Sequence, residues 1–292
     1  MTAGIEPQAG AAIATPSYGP DLDRCRLLCE SIDRHVTGMD KHYLLVSGRD
    51  AARFKVLEGP HREVIDERDI LPAWLHDLPD PTSFFRRRIW VSTRLPPLRG
   101  WHVQQLRRIA IAAYVPQETI AYCDSDVLFL KDFNLSQFWH GGALRLYRRD
   151  DALPKDGDHL VWSANAGKTL GLPAQPVPAH DYISTVIAWR RDTVLSMIRH
   201  IESRHATSWV QAVAHDRKFS ECILYGRYVD EVLQGAGHFH AEESLCQVYW
   251  DGPSLDEEGL EQFAASMSPR QVAIGIQSFT GTDLHTLRRL FR

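Results

Sequence analysis

Between Ala11 and Leu71, short apolar runs alternate with segments of helical spacing, and this alternation limits the possible architectures before any motif is considered. Ala11 to Ala14 forms an apolar run that stops at Pro16, which suits a short strand. "DLDRCRLLCESIDRH" then places Leu22, Cys25, Leu28, Cys29 and Ile32 on one helical stripe, with Asp21 near its start. "HYLLVSG" reads as a buried strand, "DAARFKVLEG" as a helix stopped by Gly59, and "REVIDERDIL" holds a further strand. The order β-α-β-α-β predicts a doubly wound sheet with helices on its faces. A length of 292 residues allows one large α/β domain or two small ones, and 44% hydrophobic residues suffice for a proper core.

Further along, a helix is expected from Gly100 to Tyr114, bounded by Pro96, Pro97 and Pro116. Strands are expected at Thr119–Cys123 and near Val127–Leu130, then a short helix capped by Asn134 and a strand in "GALRLYR". Residues 150–180, rich in Pro, Gly and Asp, read as a long functional loop with room for one short helix. "YISTVIAWRR" reads as a strand, "DTVLSMIRHIESR" as a helix capped by Asp192, and "FSECILYGRYVDEVL" as another helix. "LCQVYW" and "QVAIGIQS" suit strands, and "DLHTLRRLF" a closing helix.

A net charge of −4 with 24% charged residues is that of an ordinary soluble protein, and without a basic excess nucleic acid is not an expected partner. Five cysteines without a CxxC pair, two of them (Cys25 and Cys29) one helical turn apart, point to packing and a reducing cytoplasm. The first residues lack a basic, apolar leader, and no run reaches the roughly 18 apolar residues of a membrane helix. A cytoplasmic protein with no transmembrane segment is expected, in at most peripheral contact with the inner membrane.

Three D-x-D matches occur, at Asp21-Leu22-Asp23, Asp124-Ser125-Asp126 and Asp156-Gly157-Asp158. The first suits a helix start, where acids complement the dipole, and the third a solvated Gly-rich loop. Only the second lies between two apolar runs, "IAYC" and "VLFL". Two carboxylates at a buried strand end repel each other and lose solvation. A hard divalent cation removes both penalties, and Mg²⁺ or Mn²⁺ leaves room for phosphate oxygens. Ligands of open α/β sheets also bind outside the carboxyl ends of strands. The alternative is a structural turn.

An apolar strand followed by D-x-D resembles two families. In the haloacid dehalogenase-like phosphatases the first Asp is a nucleophile and the second a general acid. Their strand usually opens the domain, whereas here more than 100 residues precede it, and Lys155-Asp156 follow no strand. In the GT-A glycosyltransferases the nucleotide-binding half comes first and D-x-D closes it. "TPSYGPDLDRCRLLCESI" resembles the first strand and helix of that fold, and "GWHVQQLRRIAIAAYV" before "IAYCDSDVLFLKDF" resembles its helix–strand–DxD order. "FSECILYGRYV" resembles a Ser-Glu-x-x-x-Tyr-Gly pattern of bacterial GT-A-like proteins. This resemblance covers Ala12 to Leu290. It implies a single GT-A, Rossmann-like α/β domain with a central mixed, mostly parallel sheet flanked by helices. Residues 1–10 would be a disordered tail, 11–131 the nucleotide-sugar-binding half ending in DxD, and 132–292 the acceptor-binding half.

The same resemblance implies the chemistry. A nucleotide-diphosphate sugar is the donor, and Mn²⁺ or Mg²⁺ stabilises its diphosphate leaving group. Thr15, Ser17 and Tyr18 belong to the turn that meets the nucleotide base. Asp126 would ligate the metal directly, while Asp124 would hold the donor ribose or sugar, or reach the metal through water. His238 and His240 are candidates for a third, late ligand, with His285 behind them. Gln104 and Gln105, beside the face carrying Trp101 and Arg108, are expected as donor contacts or as a wet helix side. The run Arg86-Arg87-Arg88 is expected as a solvated helix face. For an inverting reaction Glu221 is the first candidate base, or else an acid that complements a helix dipole, and Asp181 is the second, or a sugar-hydroxyl acceptor. Some of Trp162, Trp189, Trp209, Tyr225 and Trp250 could stack on an acceptor sugar, and the rest would be core. The acceptor would be a carbohydrate, a lipid-linked molecule or a small molecule. Two alternatives stand beside transfer: a magnesium-dependent phosphatase and a non-catalytic nucleotide-sugar-binding protein.

Overall fold

The computed structural model describes residues 10–154 and 157–291. Apart from Gly10, the expected tail lies outside the described residues, as do Lys155 and Asp156. With the principal elements numbered in chain order, the first part of the chain runs β1 (Ala11–Pro16), α1 (Leu22–His35), β2 (Lys41–Val46), α2 (Gly48–Phe54) and β3 (Arg62–Asp66). An antiparallel set follows: β4 (His76–Pro79), β5 (Arg88–Val91) and β6 (Leu98–Arg99). Then come α3 (Gly100–Ala110), β7 (Thr119–Tyr122), β8 (Val127–Phe129), β9 (Ala143–Tyr147), α4 (His159–Leu170), β10 (Ile187–Arg190) and α5 (Arg191–His205). Next are α6 (Glu221–Arg227), β11 (His238–Ala241), β12 (Cys246–Tyr249) and β13 (Ala273–Ile276).

The central sheet has the order β10-β7-β1-β2-β3, parallel except for β10, which pairs antiparallel with β7. The fold is therefore α/β, with a mixed, mostly parallel sheet flanked by helices. Strand alternation explains how both faces are covered. On β2, Tyr43 and Leu45 join the cluster containing α3 and α5, while Leu44 and Val46 join Cys25, Cys29 and Phe54 from α1 and α2. On β7, Ile120 and Tyr122 face the first side, and Ala121 and Cys123 the other. Leu45 is fully buried, so truncating it to Ala would cost about 2–5 kcal/mol.

The two apolar runs around the aspartates belong to different sheets. β7 lies in the central sheet, and β8 joins a second sheet of order β12-β13-β8. Asp124-Ser125-Asp126 is the turn that crosses between them. Within it the Val127 N–H donates to the Asp124 carbonyl at 3.2 Å, and the Ile276 N–H of β13 donates to the Asp126 carbonyl at 3.1 Å. The carboxylates are thereby fixed at the end of a parallel strand, where the two sheets part.

Several elements depart from the pattern reading. Residues 150–180 contain the twelve-residue helix α4, closed by Gly171 in the left-handed region. Its Gly, Ser and Asn content reads as loop, but tertiary packing decides its conformation: a Cβ on Gly167 would lie 2.6 Å from Arg227 Nη1, so the glycine admits the buried arginine of α6. The strand in "YISTVIAWRR" is confined to Ile187–Arg190, and α5 is preceded by Arg190, with Asp192 inside its first turn. Arg86 and Arg87 lie at a hairpin tip and Arg88 begins β5, so the arginine run is not a helix face. Asn134 caps its short helix as expected, its side chain accepting from the Ser136 N–H at 2.8 Å. Among the described residues, no helix is long and apolar enough to cross a membrane.

Candidate active site

A cleft of about 1910 Å³ opens over the carboxyl ends of β1 and β7. The 124–126 turn, the chain after β1, one face of α3, the start of α6 and the β4–β5 hairpin line it. The entry to α3 has no Ser, Thr, Asp or Asn cap. Instead His102 Nδ1 accepts the Arg99 N–H at 3.2 Å, and the helix then directs Trp101, Gln104, Gln105 and Arg108 to the cleft. Ser220 caps α6, its Oγ accepting from the Ile223 N–H at 3.4 Å. Glu221 is therefore not the side-chain cap, and its carboxylate turns to Arg108.

Arg108 organises the floor. Its guanidinium donates to Glu221 Oε1 at 2.7 Å and also to Asp124 Oδ1. Gln104 Nε2 reaches the same Asp124 oxygen at 2.9 Å, and Gln105 Oε1 accepts the Glu221 N–H at 3.1 Å. Both glutamines thus hold the acids in place. Burial alone would lower the Arg108 pKa, but the Asp124 and Glu221 carboxylates raise it above its ordinary value. Chemically, one cation fixes two acids that come from different halves of the chain.

Asp126 has no such partner among the described residues. Its Oδ1 is buried without a hydrogen bond. Burial first, then the neighbouring Asp124 and Asp21, push its carboxyl up to about 7, with Arg24 acting the other way. Asp21, read from sequence as a helix-start acid, makes no cap bond and lies 3.4 Å from Ser125 Oγ. Its carboxyl is likewise raised, mainly by burial and also by Asp124. Three carboxylates therefore crowd one corner of the cleft. Such hard oxygen donors, one of them with an orphaned buried oxygen, fit Mg²⁺ or Mn²⁺. Among the described residues no group of three His, Cys, Asp or Glu is arranged to hold a metal, so the donor set is completed only with ligand or water oxygens.

Ser17 and Tyr18 line the cleft. Thr15 does not: it is fully buried, 3.0 Å from His42 Nε2 and 3.4 Å from Cys123 Sγ. Asp181 lines the far wall, with its Oδ1 accepting the Ile183 N–H at 2.9 Å and its carboxyl raised by burial. His238 and His240 are not brought to the aspartates. His238 Nε2 is 2.8 Å from the Tyr225 hydroxyl, and His240 Nε2 is 2.8 Å from Asp230 Oδ1. Both sit on β11, which pairs with β9 and contributes no residue to the cleft lining, and the expected third ligand is therefore absent from these positions. His285 is also outside the lining. Trp162 and Trp250 face the cleft, Trp189 and Tyr225 stack at 4.7 Å in the core, and Trp209 packs half-buried against it.

Sequence reasoning assigned Asp21 a different role and placed Arg108 only on a helix face. A basic residue one helical turn beyond Gln104, on the helix preceding the D-x-D strand, was the available signal for Arg108. Asp21 offered none, because an acid at a helix start has a sufficient local explanation.

No curated protein matches the chain. Among solved structures, it is similar to the galactosyltransferase LgtC, solved in complex with donor and acceptor sugar analogues. The identity is 12%, the match covers 91% of this chain and 86% of that one, and the TM-score is 0.47. Residues 11–274 match a family whose description is "Family of unknown function (DUF6492)".

Proposed function

The chain belongs to the family of unknown function DUF6492, and we propose that its cleft binds a nucleotide-diphosphate sugar and transfers the sugar to an acceptor hydroxyl. The observation that carries this reading is the 124–126 turn. It sets a carboxylate with one buried, unbonded oxygen beside a second carboxylate at the end of a parallel strand, in a cleft large enough for a nucleotide sugar. A structural turn gains nothing from that arrangement.

In this reading residues 11–131 form the donor half and 132–292 the acceptor half of a GT-A-like domain. Ser17 and Tyr18 face the nucleoside. Asp126 would hold the divalent cation, with Asp21 and the oxygen of Asp124 not taken by Arg108 beside it. Bound there, Mn²⁺ or Mg²⁺ supplies Lewis-acid stabilisation of charge developing on the diphosphate. Arg108 and Gln104 keep the Asp124 carboxylate in one orientation, so that corner needs little rearrangement when the donor binds. Glu221 acts through Arg108 as a positioning residue. Asp181, whose raised carboxyl suits proton transfer better than an ion-paired acid, takes the acceptor proton. A phosphatase mechanism would instead use the second Asp124 oxygen as a nucleophile, since Arg108 and Gln104 engage only Oδ1.

The test is a screen of nucleotide sugars with Mn²⁺, following release of nucleoside diphosphate in the presence of acceptor glycosides. Release that disappears with EDTA and in Asp126→Asn is the expected result. A phosphoenzyme trapped at Asp124, or no interaction with any nucleotide, would overturn the assignment.

A further inference from the structure

The β4–β5 hairpin borders the cleft, and its tip carries exposed apolar residues that the fold does not require. Its tip presents Phe84 and Phe85 at 85% and 70% exposure, and Leu78 on its edge strand is also exposed. These are three of the ten exposed large apolar residues among the described residues, gathered within eight positions. Both phenylalanines hold positive φ, 51° and 63°, a backbone region that bulky residues rarely occupy.

Internal bonds impose that conformation. The buried Asp80 side chain accepts from the Thr82 N–H at 2.9 Å and from its hydroxyl at 2.7 Å. The Phe85 N–H donates to the Asp80 carbonyl at 2.9 Å, and the Arg87 N–H to Ser83 Oγ at 2.9 Å. The tip is thus prebuilt to project two aromatic rings outward. Arg86 and Arg87 follow at once, both exposed and without an ion pair among the described residues, whereas Arg88 is tied to Asp77 at 2.6 Å. The acid nearest in sequence, Asp80, is buried as a cap, so this part of a chain with net charge −4 is locally basic. Phe279, 74% exposed, lies at the same mouth, where Tyr18 is near Arg87 and Ser278.

We propose that the tip of the β4–β5 hairpin docks the mouth of the cleft onto an anionic lipid surface, with Phe84 and Phe85 entering the interface and Arg86 and Arg87 meeting the headgroups. Adjacent apolar rings and cations match that boundary, and two weak signals together hold a protein where one does not. If the cleft transfers a sugar, as proposed above, its acceptor is then displayed at that surface.

The test is flotation of the full chain, without nucleotide, with vesicles of about one-third phosphatidylglycerol in phosphatidylcholine. The intact protein should float with these vesicles and much less with phosphatidylcholine alone. The double variant Phe84→Ser/Phe85→Ser should lose at least about fivefold of the floated protein, and Arg86→Gln/Arg87→Gln should abolish the salt dependence. Phe85→Trp gives a second readout that does not depend on a disruptive change: its indole emission should shift to the blue and be quenched by brominated lipid. No flotation, an indole at the hairpin tip that brominated lipid leaves unquenched, or a serine variant that floats normally would overturn the proposal. So would a serine variant whose only change is a smaller oligomer in lipid-free solution, because the tip would then cover a second copy. A protein that binds donor but not vesicles loses only the anchor, and one that floats but binds no nucleotide loses only the transferase reading.

Discussion

Two consecutive arginines on α3 both border the cleft, yet their counter-ions differ: Glu67 lies outside the lining, whereas Asp124 and Glu221 belong to it. Arg107 pairs with Glu67, both nearly inaccessible, and its Nη1 also reaches the carbonyls of Ser17 and Leu45 at 3.3 and 3.4 Å. Glu67 in turn accepts the Trp90 indole N–H at 3.0 Å, so the group is closed on itself. Arg108 instead bridges two acids that face the cleft, and its Nε has no hydrogen-bond partner among the described residues. The first arrangement locks the ends of β1 and β2 to the helix. The second holds two acids at the wall of the cleft. Similar buried charges therefore have different consequences, according to whether their counter-ions border the cleft.

That contrast can be broken on either side. Glu67→Gln leaves Arg107 as a buried charge without its counter-ion and should destabilise the fold by about 3–5 kcal/mol in urea unfolding. Its donor affinity, measured while folded, should stay within about threefold. If Glu67→Gln weakens donor binding far more than stability, the two arginines are not separable. Arg108→Met should weaken nucleotide-sugar binding by at least about tenfold, read by calorimetry. Removing the bridge also leaves Asp124 and Glu221 without their shared cation, so the variant should be less stable than the parent in urea unfolding.

A smaller effect is expected at Asp126. Its folded pKa, about 7, lies above the unfolded carboxylate value, so the folded protein binds this proton more tightly. The associated stability is present below about pH 4 and is lost as pH rises through about 7. Asp126→Asn should therefore stabilise the metal-free protein at pH 8 by on the order of 1–4 kcal/mol in urea unfolding, with the gain vanishing near pH 4. A variant and parent of equal stability at both values would contradict the desolvated, crowded carboxylate. The smallest effect belongs to His240→Ala. This half-exposed pair with Asp230 should contribute less than about 1 kcal/mol, and Mn²⁺ affinity should not change measurably.

How much of this was legible depended on whether local pattern and tertiary role agreed. In β1, β2 and β3 they did: apolar runs of strand length separated by a periodic helix are explained only by a buried parallel sheet. The isolated D-x-D was legible for the same reason, since apolar strands on both sides left its charges without a local explanation. Asp21 is hidden because a helix start already accounts for it, and Arg108 because a position beside Gln104 and Gln105 also suits the wet side of a helix. The Arg86-Arg87-Arg88 run reads as a helix face because the order of the hairpin tip rests on side-chain bonds from Asp80 and Ser83, which leave no periodicity. His238 and His240 followed from a resemblance, and β11 carries them to Tyr225 and Asp230 instead.

The central claim is that the carboxylate left unpartnered at the turn between the sheets is there to hold a cation shared with a diphosphate. Electron paramagnetic resonance of Mn²⁺ tests this directly, by titration with and without a nucleoside diphosphate. The account predicts weak Mn²⁺ binding by the protein alone, strong binding when the diphosphate is added, and loss of both in Asp126→Asn. Mn²⁺ binding that is unchanged by Asp126→Asn, or a diphosphate bound equally well in EDTA, would contradict it.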